Sequence, residues 1–129
     1  MKTENIKFKA KRLDNGEWVY GSLIRSTAGV KERAYIVDNF SSMSDYSVVG
    51  IDPSTVCMFT GLTACEGNEI YEGDIISSPH FERVATVKWD DSLCGFKCSD
   101  VTGNINFSFT AIAQCSEWSI VGNKFDKEK

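Results

Sequence analysis

Between Ile6 and Arg12 the chain alternates residue by residue, with Ile6, Phe8 and Ala10 on one side and Lys7, Lys9 and Lys11 on the other. A period of two sends successive side chains to opposite faces of a strand, so this segment reads as a half-buried strand with a basic outer face. Asp14-Asn15-Gly16-Glu17 follows, and Asn-Gly is a strong hairpin signal because both residues tolerate positive φ. Trp18 to Ile24 is then the returning strand, in which Gly21 marks a bulge or a close approach of backbone.

Short apolar runs closed by turn residues recur to the end of the chain. Strands are expected at Ala34–Asp38, Val56–Thr60, Ile70–Tyr71, Ile75–Ser77, Val84–Trp89, Leu93–Cys98, Ile105–Phe109 and Trp118–Val121. Their alternation puts Ala85, Val87 and Trp89 together, Cys94, Phe96 and Cys98 together, and Ile105, Phe107 and Phe109 together. Polar loops are expected at Ser26–Glu32 and Asp38–Ser47, and a turn at Asp100–Asn104. Asp52-Pro53-Ser54-Thr55 looks like one helical turn, with Asp as its cap and Pro in the first position. Thr110–Glu117 reads as a turn or two of helix or an irregular crossover. No stretch sustains a helical period. The expected fold is mainly β. It comprises an N-terminal hairpin subdomain over 1–49, a small SH3-like or barrel-type β subdomain over 50–123, one or two short helical turns, and a frayed tail over 124–129.

At 129 residues the chain is long enough to bury a core without disulfide staples or a structural metal. Its net charge of -4 gives it little long-range attraction to nucleic acid or anionic membrane. No apolar run of signal-peptide or membrane-spanning length is found, so a cytoplasmic location in a bacterial host, with no membrane partner, is expected. The cysteines Cys57, Cys65, Cys94, Cys98 and Cys115 are odd in number and read as free thiols in a reducing compartment.

Gly50-Ile51-Asp52-Pro53-Ser54-Thr55-Val56, Thr60-Gly61-Leu62 and Gly67-Asn68-Glu69-Ile70-Tyr71-Glu72-Gly73-Asp74-Ile75-Ile76 together resemble the YopX family of phage and prophage proteins. Its members carry a V-D-P-x-T-V … T-G-L run and then G-x-E-I-Y-E-G-D-I-V. Lys7 to Gly21 is similar to the family's opening hairpin, Val87-Lys88-Trp89 to its V-x-W strand, and Trp118 to Asn123 to its closing strand. Cys57 stands where relatives have a small or polar residue. The resemblance implies a mostly β fold, a phage or prophage origin and homo-oligomers, and it supplies no catalytic residue. Physically, the motif residues Asp52, Pro53, Thr60, Gly61, Leu62, Tyr71, Gly73 and Asp74 read as fold-specifying. Tyr71 is expected to cover a barrel mouth with its hydroxyl wet, Gly73 to permit a φ that a side chain obstructs, and Asp74 to bond nearby amides.

Catalytic and metal constellations are absent from the pattern. Cys94 and Cys98 lack zinc-knuckle spacing and read as core thiols, with zinc the lesser alternative. His80, the only histidine, sits in an expected loop with no nucleophile motif around it. Asp74, Asp90 and Asp91 lie at turns, where Asp bonds its own backbone. The expectation is therefore a protein with no enzymatic activity, no metal and no cofactor. It would act as a homo-oligomeric protein-binding accessory module toward an unidentified host or phage protein. The alternative is a nucleic-acid-binding module using Lys7, Lys9, Lys11 and Arg12, with Trp18 and Tyr20 to stack bases. Against it stands the reading of those lysines as a solvated edge strand that discourages aggregation.

Overall fold

A computed structural model describes residues 2–26, 32–38, 48–79, 81–100, 106–108 and 118–126. His80, Cys115, the Thr110–Glu117 crossover, the Gly103-Asn104 turn and most of the two polar loops lie outside the described residues. So do the last three residues of the tail and the side chains behind the Ile105, Phe107 and Phe109 face. The described chain is β throughout, apart from single 3-10 turns at Thr3–Asn5 and Pro53–Thr55, and it forms two compact units, Met1–Phe59 and Thr60–Lys129.

The first unit contains β1 (Phe8–Lys11), β2 (Trp18–Ser26), β3 (Arg33–Asp38), β4 (Val48–Ile51) and the start of β5 (Cys57–Thr63), all antiparallel to their neighbours in the order β4-β3-β2-β1-β5. The Asn15-Gly16 turn closes the first hairpin. Only Gly16 takes positive φ there (72°), and Asn15 instead offers its side-chain oxygen to the Glu17 N–H at 2.9 Å. Beyond β1 the chain pairs again: Arg12 bridges Ile51, the Leu13 N–H donates to the Gly50 carbonyl at 3.1 Å, and the Asp52 N–H donates to the Lys11 carbonyl at 2.9 Å. These bonds bring β4 back to the end of β1, so the four strands close on themselves and no bare edge is left at that corner. Ala10, Val19, Ala34, Ile36 and Ile51 fill the inside, with Phe8, Leu23, Val49 and Val56 packed against them.

Gly21 is the pivot of this arrangement. It pairs with Phe8 on β1 and with Asp38 on β3, so both ladders of β2 meet at one residue. Of the two roles expected of it, the structure shows close approach: a Cβ there would run into the Val37 carbonyl oxygen and press the Ile36 side chain at 3.1 Å.

The second unit follows β5 with β6 (Glu69–Tyr71), which pairs with it, and a five-stranded sheet in the order β10-β9-β8-β7-β11. These strands are β7 (Asp74–Ser78), β8 (Phe81–Asp90), β9 (Gly95–Asp100), β10 (Asn106–Ser108) and β11 (Ser119–Asn123). Ala64, Ile70, Ile76, Ala85, Val87, Cys98 and Trp118 form its core. One expectation is corrected here. Leu93 and Cys94 belong to the turn before β9, because the Asp90 carboxylate accepts the Ser92 and Leu93 N–H groups at 2.8 and 3.3 Å and holds that turn. Cys94 therefore sits exposed, at φ 49°, while Cys98 is buried opposite Val87. Trp89 keeps the face of Ala85 and Val87, opposite Phe96, but lies near the end of β8 and is about half exposed. It stacks edge-on with Phe96, centroids 5.2 Å apart, and its indole N–H donates to Asp91 at 2.7 Å.

Replacing Gly21 with Ala is expected to destabilise the protein by about 3 kcal/mol, because the obstacle is backbone and cannot rotate away. Ser22→Ala, one residue along on an exposed position, is expected to stay within about 0.5 kcal/mol of wild type. Urea melts of the two variants check the difference.

Candidate functional site

β1 runs between β2 and β5, so its lysines are interior to a sheet and not on an edge. Lys9 lies opposite Tyr20 and Cys57, and Lys11 lies opposite Trp18. Directly opposed residues of an antiparallel pair share a face. On that face Lys9 and Lys11 each bring Nζ to 4.5 Å from the centre of the Trp18 ring, and Lys7 brings its Nζ to 4.7 Å from the Phe59 ring. Lys9 is only 7% exposed. The solvated three-lysine edge is thus replaced by ammonium groups resting on aromatic rings, each contact stabilising by about 0.5–1 kcal/mol. Arg12 departs from the group. Its Nε and Nη2 fork onto the two carboxylate oxygens of Asp14, both at 2.9 Å. That hydrogen bonding holds the exposed Asp14 carboxyl below its ordinary range.

The structure therefore gathers Lys7, Lys9, Lys11, Trp18 and Tyr20 on one face and balances the charge of Arg12. Among these, Tyr20 stands well out from the surface. The indole meant for base stacking already carries two ammonium groups.

The motif residues build latches, one in each unit. In the first, the Thr55 hydroxyl accepts the Lys11 N–H at 2.9 Å and donates to the Asp52 carbonyl at 2.7 Å. Asp52 caps the 3-10 turn by accepting the Ser54 N–H at 3.0 Å, and Pro53 occupies the first position. Both expectations for that turn hold. In the second, Thr60 donates to the Ile70 carbonyl at 2.6 Å, Gly61 supplies φ 90° and Leu62 packs on the core.

Asp74 is 1% exposed. One carboxylate oxygen accepts the Tyr71 N–H at 2.7 Å, as the turn reading required; the other accepts the Asn123 side-chain amide at 2.9 Å. Gly73, at φ 87°, donates its N–H to the Val87 carbonyl and accepts from the Lys124 N–H. Asn123 was not singled out in the sequence, because its partner lies forty-nine positions away. Tyr71 corrects one expectation: its ring is buried, and its hydroxyl donates to Glu69 at 3.2 Å.

Among the described residues no three His, Cys, Asp or Glu side chains stand close enough to hold a metal ion. Asp90 bonds Ser92 and Lys97, which lower its carboxyl pKa, and Asp91 holds Trp89. Burial pushes the Cys98 thiol up to about 12.

One surface was missed in the sequence. On β2, Tyr20, Ser22 and Ile24 point away from the core, opposite Lys9, Val37 and Tyr35 respectively, and Val37 in turn lies opposite Val48. Tyr20, Ile24 and Val48 are each about half exposed, so the outward face of β2–β3–β4 is apolar at its centre. The signal was present: Ala34-Tyr35-Ile36-Val37 is apolar at consecutive positions, the pattern of a strand contacted on both faces.

Asp74→Ala strands the Tyr71 amide and the Asn123 side chain and is expected to destabilise by about 3 kcal/mol, read by thermal or urea melting. Alkylation followed by peptide mapping is expected to label exposed Cys65 and Cys94 quickly in the folded protein. Buried Cys57 and Cys98 should react on the order of a thousandfold more slowly, until denaturant is added.

The family model of the YopX protein matches residues 7–128. No curated protein matches the chain.

Proposed function

The chain belongs to the YopX family, and from that premise we propose that it is a non-enzymatic, phage- or prophage-type accessory protein that binds other proteins and associates first with copies of itself. The observation that carries this reading is the apolar outward face of β2–β3–β4. Tyr20, Ile24 and Val48 are exposed there beside half-buried Tyr35 and Val37. Contiguous exposed apolar residues on a sheet are a recurrent mark of a protein contact. The two tyrosines of this face, Tyr20 and Tyr35, are of the residue type that dominates such interfaces. A cytoplasmic location accords with the free thiols among the described cysteines.

The nucleic-acid reading draws support from Tyr20 standing exposed beside the Lys9 row. Three facts weigh against it: the lysines sit on rings, Arg12 is forked onto Asp14, and the net charge is -4. A phosphate backbone would have to draw those ammonium groups off their rings before gaining contact.

Light scattering of the pure protein at tens of micromolar is expected to give a mass above the monomer. Ile24→Lys places a charge at the centre of the apolar face, where loss of a central contact weakens association by about thirtyfold or more. Its scattering mass should fall to the monomer with the circular dichroism unchanged. A wild type that is monomeric across the range defeats the self-association reading. Retardation of short DNA or RNA at low salt, lost on Lys11→Gln, would favour the alternative.

A further inference from the structure

A cleft of about 360 Å³ opens in the first unit beside the outward face, lined in part by Leu13, Arg33, Tyr35, Gly50, Ile51 and Pro53. Gly50 makes it a cleft. It pairs directly with Tyr35, yet its backbone is ordinary for a strand, and a Cβ added there would meet only the Leu13 Cδ1, at 3.7 Å. Neither a left-handed φ nor crowding requires glycine at this position, and glycine weakens a strand interior relative to a residue with a side chain. What the missing side chain provides is open space over Tyr35.

The polar groups around that space are unbalanced. Glu32, which also lines the cleft, is held by Arg25 at 3.0 Å. Among the described residues neither the Arg33 guanidinium nor the Tyr35 hydroxyl has a hydrogen-bond or ion-pair partner. The cleft is thus lined by an arginine and a tyrosine that have no polar partner among the described residues, beside apolar walls. The guanidinium fork of an arginine matches a carboxylate with two parallel N–H···O bonds. The volume is at the small end of ligand clefts, room for one large side chain with its own carboxylate and little more. In a polypeptide, one residue carries both a hydrophobic side chain and a carboxylate only at the C-terminus.

We propose that this cleft captures the C-terminal residue of a partner polypeptide, with a large apolar side chain over Gly50 and Tyr35 and the terminal carboxylate on Arg33. The proposal rests on the protein-binding reading and names the chemistry of the partner, not its identity. Capture of a chain terminus is a recurrent recognition mode, and the charge sign agrees.

The test uses fluorescein-labelled hexapeptides ending in Phe or Leu, each as free acid and as carboxamide, titrated with the full chain and followed by anisotropy. Free acids are expected to bind with Kd on the order of 10–100 µM. The carboxamides should bind about tenfold or more weakly, as should the free acids on Arg33→Gln, since each loses a charge-assisted bond. Gly50→Val should abolish binding while melting at or above the wild-type temperature. The proposal is overturned if acid and amide bind alike, if Gly50→Val still binds, or if no free acid binds wild type at about 1 mM. Repeating the titration on Ile24→Lys separates the two readings: a monomer that still takes the free acid leaves the cleft standing without self-association. Arg33→Gln lies on an exposed side chain and keeps the test decisive even where Gly50→Val folds poorly.

Discussion

Backbone N–H groups at the ends of short strands have no ladder partner, and a buried donor left unpaired is costly. In this protein side-chain oxygens meet them. Thr55 takes the Lys11 N–H, Asp74 takes that of Tyr71, Asn123 takes that of Phe125, and Asp90 takes those of Ser92 and Leu93. Each strand can therefore be short without fraying, and the turns between strands become as well determined as the strands. The motif that identifies the family is largely the set of residues that perform this service. The demands of the fold alone can therefore account for a pattern this specific.

The same logic shows what was readable in advance. Turn chemistry acts over three or four residues, so Gly16, the Asp52-Pro53 cap and the Asp74 turn were legible, and the alternation around Ala10 and Val87 found the two cores. Three things were not. The strands flanking β1 are set by tertiary order, so nothing local said that Lys9 would be covered. The pull of Asp90 on its turn outweighed the alternation that grouped Cys94 with Cys98. The partner of Asp74 lies on the last strand, beyond the reach of any local pattern. The apolar outward face was legible in β3 but was absorbed into the core reading, because continuous apolar runs do not say which side faces water.

The candidate surfaces share one character. Charge is spent internally: lysines on rings, Arg12 on Asp14, Arg25 on Glu32. What the outward face of β2–β3–β4 presents is mostly apolar and aromatic, with Arg33 beside its cleft. A surface of that kind selects by shape and by burial of rings, with one point of charge to orient the partner.

The double duty of β2 has a consequence for how such chains change over time. Because the ladders to β1 and β3 meet at Gly21, the two registers are tied through a single strand. Adding or removing one residue on either side of the pivot would turn one half of β2 inside out relative to the other, exchanging Leu23 for Ile24 or Val19 for Tyr20. Length variation among descendants is thereby steered away from β2 and into the connections between strands, while the strand itself can drift only by substitution.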